Sequence, residues 1–214
     1  MDFINHLAEE YVNQFSSPES KELAEINQQT YATHPKAHML SGKVQGLFLQ
    51  FISSILQPKY ILEIGTFTGY SALCLAEGLQ KEGELHTIEL REDDAATAKA
   101  NFSKSYNNKQ VTLHCGNALD IIETLPYQWD LVFIDADKTA YIEYYELLVP
   151  RLSNKGIILA DNVLFHGQVL EDQVSGKNAK AIQLFNEHVM NDPRTEQVLL
   201  TIRDGISLIR KKTK

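Results

Sequence analysis

Two stretches of this chain run from apolar residues straight into side chains that hold metals or move protons. The first is Asp130-Leu-Val-Phe-Ile-Asp135-Ala-Asp137-Lys138 and the second is Gly156-Ile-Ile-Leu-Ala-Asp161-Asn162. An apolar run bounded by polar residues reads as a strand buried on both faces. Neighbouring strands of that kind would deliver Asp135, Asp161 and Asn162 to one sheet edge, and open α/β sheets bind ligands outside the carboxyl ends of their strands. Three oxygen donors converging there suit a hard divalent cation, Mg²⁺ first, with Mn²⁺ or Ca²⁺ as alternatives. Lys138 would lie near that cation, which would depress its pKa and let it take a proton; alternatively it would stay charged and steady an anion. The cluster reads as a metal-assisted transferase. Each residue also has a plainer reading: Asp137 as the cap of a helix from Thr139, Asn162 as a turn former, Lys138 as an exposed lysine. Three donors at two adjacent strand ends outweigh those readings.

A second motif, Ile61-Leu62-Glu63-Ile64-Gly65-Thr66-Phe67-Thr68-Gly69-Tyr70-Ser71, reads as strand, turn and helix. A dinucleotide loop needs Gly-x-Gly-x-x-Gly so that backbone can approach a pyrophosphate. Counted from Gly65, its second and third glycine positions hold Phe67 and Tyr70, and no Gly-x-x-x-x-Gly-Lys phosphate loop is present. Glu63 would repel a pyrophosphate but accept from an ammonium group, directly or through water. Glu89 falls at the end of the next strand, where an acidic residue holds the ribose hydroxyls of an adenosine ligand. A ligand with an amino-acid end, a ribose and no phosphate is S-adenosylmethionine. The plainer alternative makes Glu63 and Glu89 ordinary strand ends and Gly65 an ordinary turn.

The elements that must position these residues follow an α/β rhythm. Strands are predicted over 60–64, 85–89, 111–115, 131–135 and 157–161, separated by helices over 70–80, 93–106, 118–125 and 139–152. That alternation implies a parallel sheet. A helix over 176–190 follows, then two apolar runs, 196–202 and 206–210, joined by Arg203-Asp204-Gly205, a hairpin signal. Ahead of the first strand, a helical face at 2–15 carries Phe3, Ile4, Leu7, Ala8, Tyr11, Val12 and Phe15. Ser17 and Pro18 are placed to start a second helix that ends at His34-Pro35, and a third covers 42–56. One domain is expected over 1–214, with 1–40 as a helical cap and 41–214 as the core.

With 214 residues there is enough chain for one full α/β core. The net charge of −8 disfavours nucleic acid and anionic membrane as partners, although basic residues gather at Arg210, Lys211, Lys212 and Lys214, where a solvated terminus is the simplest reading. No apolar run is counted as long enough for a membrane span, and Met1-Asp2-Phe3 lacks the start of a signal peptide. Two cysteines, Cys74 and Cys115, read as core fillers in a reducing cytosol. His34, His38, His166 and His188 show no zinc spacing. Trp129 is placed in the core, and Tyr141, Tyr144 and Tyr145 as packing residues.

The motifs together resemble the cation-dependent O-methyltransferases, the group of catechol O-methyltransferases, plant caffeoyl-CoA O-methyltransferases and small bacterial relatives. The resemblance runs from about Thr33 to the terminus. It is carried by Thr33-x-x-x-x-x-Met39-x-Ser41 with Gln45-Gly46, by the glycine loop, and by Ile88-Glu89 and Gly116-Asn117-Ala118. It continues in Phe133-Ile-Asp135-Ala-Asp137-Lys138, Asp161-Asn162 and Arg203-Asp204-Gly205. It implies a Rossmann-like class I fold with a seven-stranded, mostly parallel sheet and an antiparallel C-terminal strand. By the same resemblance Ser41, Glu63, Gly65, Thr66 and Ser71 would hold the methionyl end of S-adenosylmethionine. Glu89 would take the ribose, Ala118 would lie by the adenine, and Asp135 and Asp137 would lie close to the cofactor. Asp135, Asp161 and Asn162 would be the metal ligands, and Lys138 matches a catalytic base. Departures from the plant coenzyme A-ester enzymes fall at Gln45, Leu47, Phe165, His166 and a short segment over 167–178, all on the acceptor side.

The expected activity is therefore methylation of one hydroxyl of a catechol-type small molecule, with Met39, Lys138, Asn162, Phe165 and His166 facing the acceptor. Two alternatives stand beside it: a hydroxylated uridine of transfer RNA as acceptor, and a non-catalytic S-adenosylmethionine-binding dimer module. The resemblance also implies a homodimer, with the N-terminal helices as its contact.

Overall fold

The computed structural model describes residues 6–212. Seven strands form one sheet in the order β3-β2-β1-β4-β5-β7-β6. They are β1 (Tyr60–Ile64), β2 (Glu84–Glu89), β3 (Val111–Cys115), β4 (Trp129–Ile134), β5 (Leu152–Asp161), β6 (Thr195–Leu200) and β7 (Ile206–Lys211). The first five are parallel, while β7 runs antiparallel to both β5 and β6. The helices are α1 (His6–Phe15), α2 (Lys21–Thr33), α3 (Gly42–Leu56), α4 (Tyr70–Ala76), α5 (Glu92–Phe102), α6 (Ala118–Thr124), α7 (Tyr141–Leu148) and α8 (Lys177–Asn191). This is the expected seven-stranded fold with an antiparallel end.

Side chains alternate across each strand, so a continuous apolar run feeds two cores. Val132, Ile134, Ile158 and Ala160 face the core built with Trp129, Tyr141, Tyr145 and Phe185. Leu131, Phe133 and Leu159 face the other, against Leu49, Tyr70 and Leu73. Each such side chain contributes about 1.5–3 kcal/mol by leaving water, which is why both faces of the central strands must be apolar.

Register carries the site. Ile64 pairs with Ile88 and Ile134, and Ile134 pairs with Ala160. The residues that come next, Gly65, Glu89, Asp135 and Asp161, therefore leave four neighbouring strands at one level.

Several local expectations change. The second helix begins at Lys21, capped by Ser20, whose hydroxyl accepts the N–H of Leu23 at 3.2 Å; Ser17 and Pro18 precede it. The helix expected to reach residue 80 stops at Ala76, where a Cβ on Gly78 would come within 2.1 Å of the Ser53 backbone. α5 ends at Phe102 instead of 106, and Pro150 sits in a 3₁₀ turn that cuts α7 short at Leu148. β4 begins at Trp129 and ends before Asp135, β5 begins at Leu152, and β6 ends at Leu200. Cys74 is buried as expected, but Cys115 is exposed because β3 is an edge strand. Ala37–Leu56, contrary to the sequence count, is long and apolar enough for a membrane span; α3 itself has 15 residues and buries Gln45, Gly46, Leu49 and Ser53. Phe3 and Ile4 of the N-terminal face, and Lys214, lie outside the described residues. In the basic tail, Lys211 is tied in, donating to the carbonyls of Pro150 (3.2 Å) and Leu152 (2.6 Å).

Candidate active site

A cavity of about 1100 Å³ opens where β1, β2, β4 and β5 end. On one side it is lined by Ser41, Gly65, Thr66, Ser71, Glu89 and Ala118. Asp135, Asp137, Lys138, Asp161 and Asn162 line its acidic end, and Met39, Phe165 and His166 stand in the wall beside them. All of the expected site residues except Glu63 border this one space.

Gly65 is required by geometry. Its φ is +103°, and a Cβ there would sit 1.9 Å from the Asp135 carbonyl oxygen, so the loop and the end of β4 touch backbone to backbone. Glu63 lies below the lining and is fully buried. The Thr87 hydroxyl donates to its Oε2 at 2.5 Å, while its Oε1 has no partner. Burial, the largest cause, pushes its pKa up to about 8, against the hydrogen bond from Thr87. Thr66 is held by a 2.5 Å contact with the same Thr87 hydroxyl. Glu89 accepts the N–H of Phe67 on Oε2 (2.7 Å) and that of Arg91 on Oε1 (3.0 Å), which fixes its carboxylate at the cavity wall.

At the acidic end, Asp161 is 2 % exposed. Its Oδ2 accepts from Gln45 Nε2 at 2.6 Å and its Oδ1 from the Asn162 N–H at 2.8 Å. Burial, and then the neighbouring Asp135 charge, raise its pKa to about 7. Lys138 donates to Asp135 Oδ1 at 2.9 Å and to the Tyr141 hydroxyl at 2.8 Å. Burial alone would lower its pKa, but Asp135, Tyr141 and Asp161 outweigh that and hold the ammonium above the usual lysine value. The Tyr141 hydroxyl in turn donates to the Asp161 carbonyl at 3.1 Å, so this tyrosine packs and also braces the site. Asn162 has φ +57°, a left-handed conformation that Asn tolerates better than most side chains.

Asp161 is buried and Asp135 half-buried, and their charges repel; a divalent cation would relieve such a pair, and Asn162, which lines the same cavity, carries a neutral amide oxygen. Among the described residues no group of three or more His, Cys, Asp or Glu forms a metal-holding cluster; the set here is two carboxylates and an amide.

The plainer readings hold in part. Asp137 does cap, accepting the Thr139 N–H at 3.2 Å, though the turn it caps is a short 3₁₀ segment. His188 pairs with Glu146 on the surface at 2.7 Å, and Trp129 is fully buried. Sequence reading missed Arg203 and Asp204 as parts of the site. Arg203 Nη1 donates to the carbonyls of Leu40 (2.9 Å) and Ser41 and to Gln45 Oε1 (3.3 Å). Asp204 Oδ1 accepts the His166 N–H at 2.5 Å. The available signal was an arginine inside a turn that needed only Asp-Gly.

A family model described as O-methyltransferase matches residues 13–212. The chain belongs to the O-methyltransferase family. This methyltransferase is 39% identical over 147 residues to the catechol O-methyltransferase of Niastella koreensis, covering 66% of each chain. It is 29% identical to the caffeoyl-CoA O-methyltransferase of Stellaria longipes, covering 90% of this chain and 84% of that one. The SAH-bound methyltransferase PaMTH1 of Podospora anserina superposes with a TM-score of 0.90 at 31% identity, over 98% of this chain and 97% of that one. An O-methyltransferase of Bacillus cereus in complex with SAH gives 0.86 at 29% identity, covering 96% and 97%. Family and fold together place the chain among the S-adenosylmethionine-dependent O-methyltransferases of the catechol and caffeoyl-CoA type.

Proposed function

We propose that this enzyme methylates one hydroxyl of a catechol-type small molecule, with S-adenosylmethionine as donor and a divalent cation, Mg²⁺ first, held by Asp135, Asp161 and Asn162. One observation supports the reading: the two carboxylates leave adjacent strands at one level and line one cavity beside Lys138, close enough to repel each other. A cation bound there supplies Lewis acidity that makes a hydroxyl more acidic, and its charge offsets the two carboxylates.

The chain's own residues account for the rest. The partnerless Oε1 of Glu63 suits the donor's ammonium, reached directly or through water. Glu89, fixed by two backbone N–H groups, keeps lone pairs for the ribose hydroxyls, and Ala118 borders the adenine. Lys138 holds a positive charge where the acceptor oxygen becomes anionic, and Met39, Phe165 and His166 wall the acceptor ring. Holding the methyl and the oxygen in line then supplies much of the rate.

The test is turnover of a catechol with S-adenosylmethionine, with and without chelator. Activity that survives full chelation removes the cation from the reading. Asp161→Ala is expected to lose cation-dependent turnover by at least about 100-fold while still binding the donor; normal methylation by that variant would show the ligand set to be wrong. We also propose a cytosolic setting and a homodimer, supported by the exposed apolar residues Tyr11, Val12 and Phe15 of α1 and Phe51 and Ile55 of α3.

A further inference from the structure

Gln45 lies on α3, more than a hundred residues before Asp161 in the chain, yet it is 1 % exposed and donates to Asp161 Oδ2 at 2.6 Å. Its other amide atom, Oε1, accepts from Arg203 Nη1 at 3.3 Å. A guanidinium has only donors, so it can face the amide oxygen and not the amide nitrogen. Arg203 thereby fixes which way the Gln45 amide points, with its NH₂ group toward the carboxylate. Arg203 is itself held by the carbonyls of Leu40 and Ser41, on a backbone at φ +48°.

We propose that Arg203 and Gln45 form a positioning relay that sets the Asp161 carboxylate toward a divalent cation. This rests on the reading of Asp161 as a cation ligand. Each Asp161 oxygen accepts one protein donor, Gln45 on Oδ2 and the Asn162 N–H on Oδ1, and each keeps a lone pair free. The neutrality of Gln45 matters. A lysine in its place would neutralise the carboxylate and compete with the cation. An amide orients the carboxylate and leaves its charge intact. Partners of this kind, which touch a ligand and not the metal, are where metal affinity is set.

The experiment titrates Mn²⁺ alone into the full chain and follows free Mn²⁺ by electron paramagnetic resonance. The variants are Gln45→Met, Arg203→Ala, the double variant and Asp161→Ala. Gln45→Met keeps the length of the side chain and removes both hydrogen bonds. It is expected to weaken Mn²⁺ binding by roughly 10–100-fold. Arg203→Ala should weaken it too, and the double variant should bind no worse than Gln45→Met, because both residues act through one hydrogen bond to Asp161. A Gln45→Met protein with wild-type affinity, beside an Asp161→Ala protein that has lost binding, overturns the relay and leaves the cation site standing. Losses that add fully in the double variant overturn it as a unit. If Gln45→Met does not fold, unchanged Mn²⁺ affinity in Arg203→Ala overturns the relay. Absence of Mn²⁺ binding in the wild-type chain ends both this inference and the reading it rests on.

Discussion

Glu63 is fully buried, with one oxygen on the Thr87 hydroxyl and the other without a partner, and burial moves its pKa from the ordinary 4.5 up to about 8. Between those values the folded chain holds a proton that the unfolded chain has released. Stability from this group is therefore complete below about pH 4.5 and is lost as pH rises through about 8. In the absence of donor, the melting temperature should fall across that window. Glu63→Gln should flatten the slope, because an amide has no proton to give up; calorimetry at a series of pH values reads it, and an unchanged slope would refute the assignment. The same orphan oxygen predicts that a ligand ammonium draws Glu63 into its charged form. Donor binding near neutral pH should then release a proton, seen as a dependence of the binding heat on buffer ionisation enthalpy. The residue was legible as a strand-end acid in Leu62-Glu63-Ile64-Gly65. Its depth below the cavity was not, since that depends on Thr87 of the neighbouring strand.

At the scale of elements, the hairpin between β6 and β7 braces two walls of the cavity, Leu40 with Ser41 and Phe165 with His166. Arg203 ties down the carbonyls before α3, while the backbone of Asp204 accepts from Leu164 at 2.9 Å and its side chain from the His166 N–H. Gly205 makes the approach possible: its φ is +83°, and a Cβ there would lie 2.6 Å from Leu164 Cγ. Gly205→Ala is expected to cost about 1–3 kcal/mol and to raise the acceptor KM more than the donor KM, as the 164–166 wall is displaced. Urea melts and steady-state kinetics check it; an unaltered acceptor KM would show that the hairpin does not hold that wall. The strands were readable because β4 and β5 carry continuous apolar runs, 131–134 and 157–160, that end in Asp135 and Asp161, while β1 places Ile61, Leu62 and Ile64 around Glu63 just before Gly65. Helix ends were less so. Ser20 won the cap over Ser17, and α4 stopped at Ala76, two residues before Gly78 packs against the Ser53 backbone of α3, a contact that no local pattern records.

Across the whole molecule, α1 stands apart from both cores. Its 10 residues include none that is buried, although Tyr11 and Phe15 stack at 4.3 Å and Val12 is exposed beside them. A helix shorter than about 12–15 residues is marginal in water on propensity alone. The ties of α1 to the rest of the chain include the Lys43 ammonium, which donates to the carbonyls of Asn13 (2.6 Å) and Ser16 (3.2 Å) at its C-terminal end. α3, which α1 touches, leaves Phe51 62 % and Ile55 78 % exposed, more apolar surface than a solvated helix face needs. A second copy of this chain covering α1 and α3 would supply the missing burial, and the net charge of −8 makes an apolar contact the better candidate over one built on ion pairs between identical acidic surfaces. Sedimentation equilibrium at micromolar concentration should therefore give a dimer. Phe51→Glu with Ile55→Glu should give a monomer whose sheet amides keep their hydrogen-exchange protection while those of α1 lose theirs. A wild-type chain that sediments as a monomer with α1 fully protected would mean that the helix is held by its own chain, and the dimer would have to be abandoned.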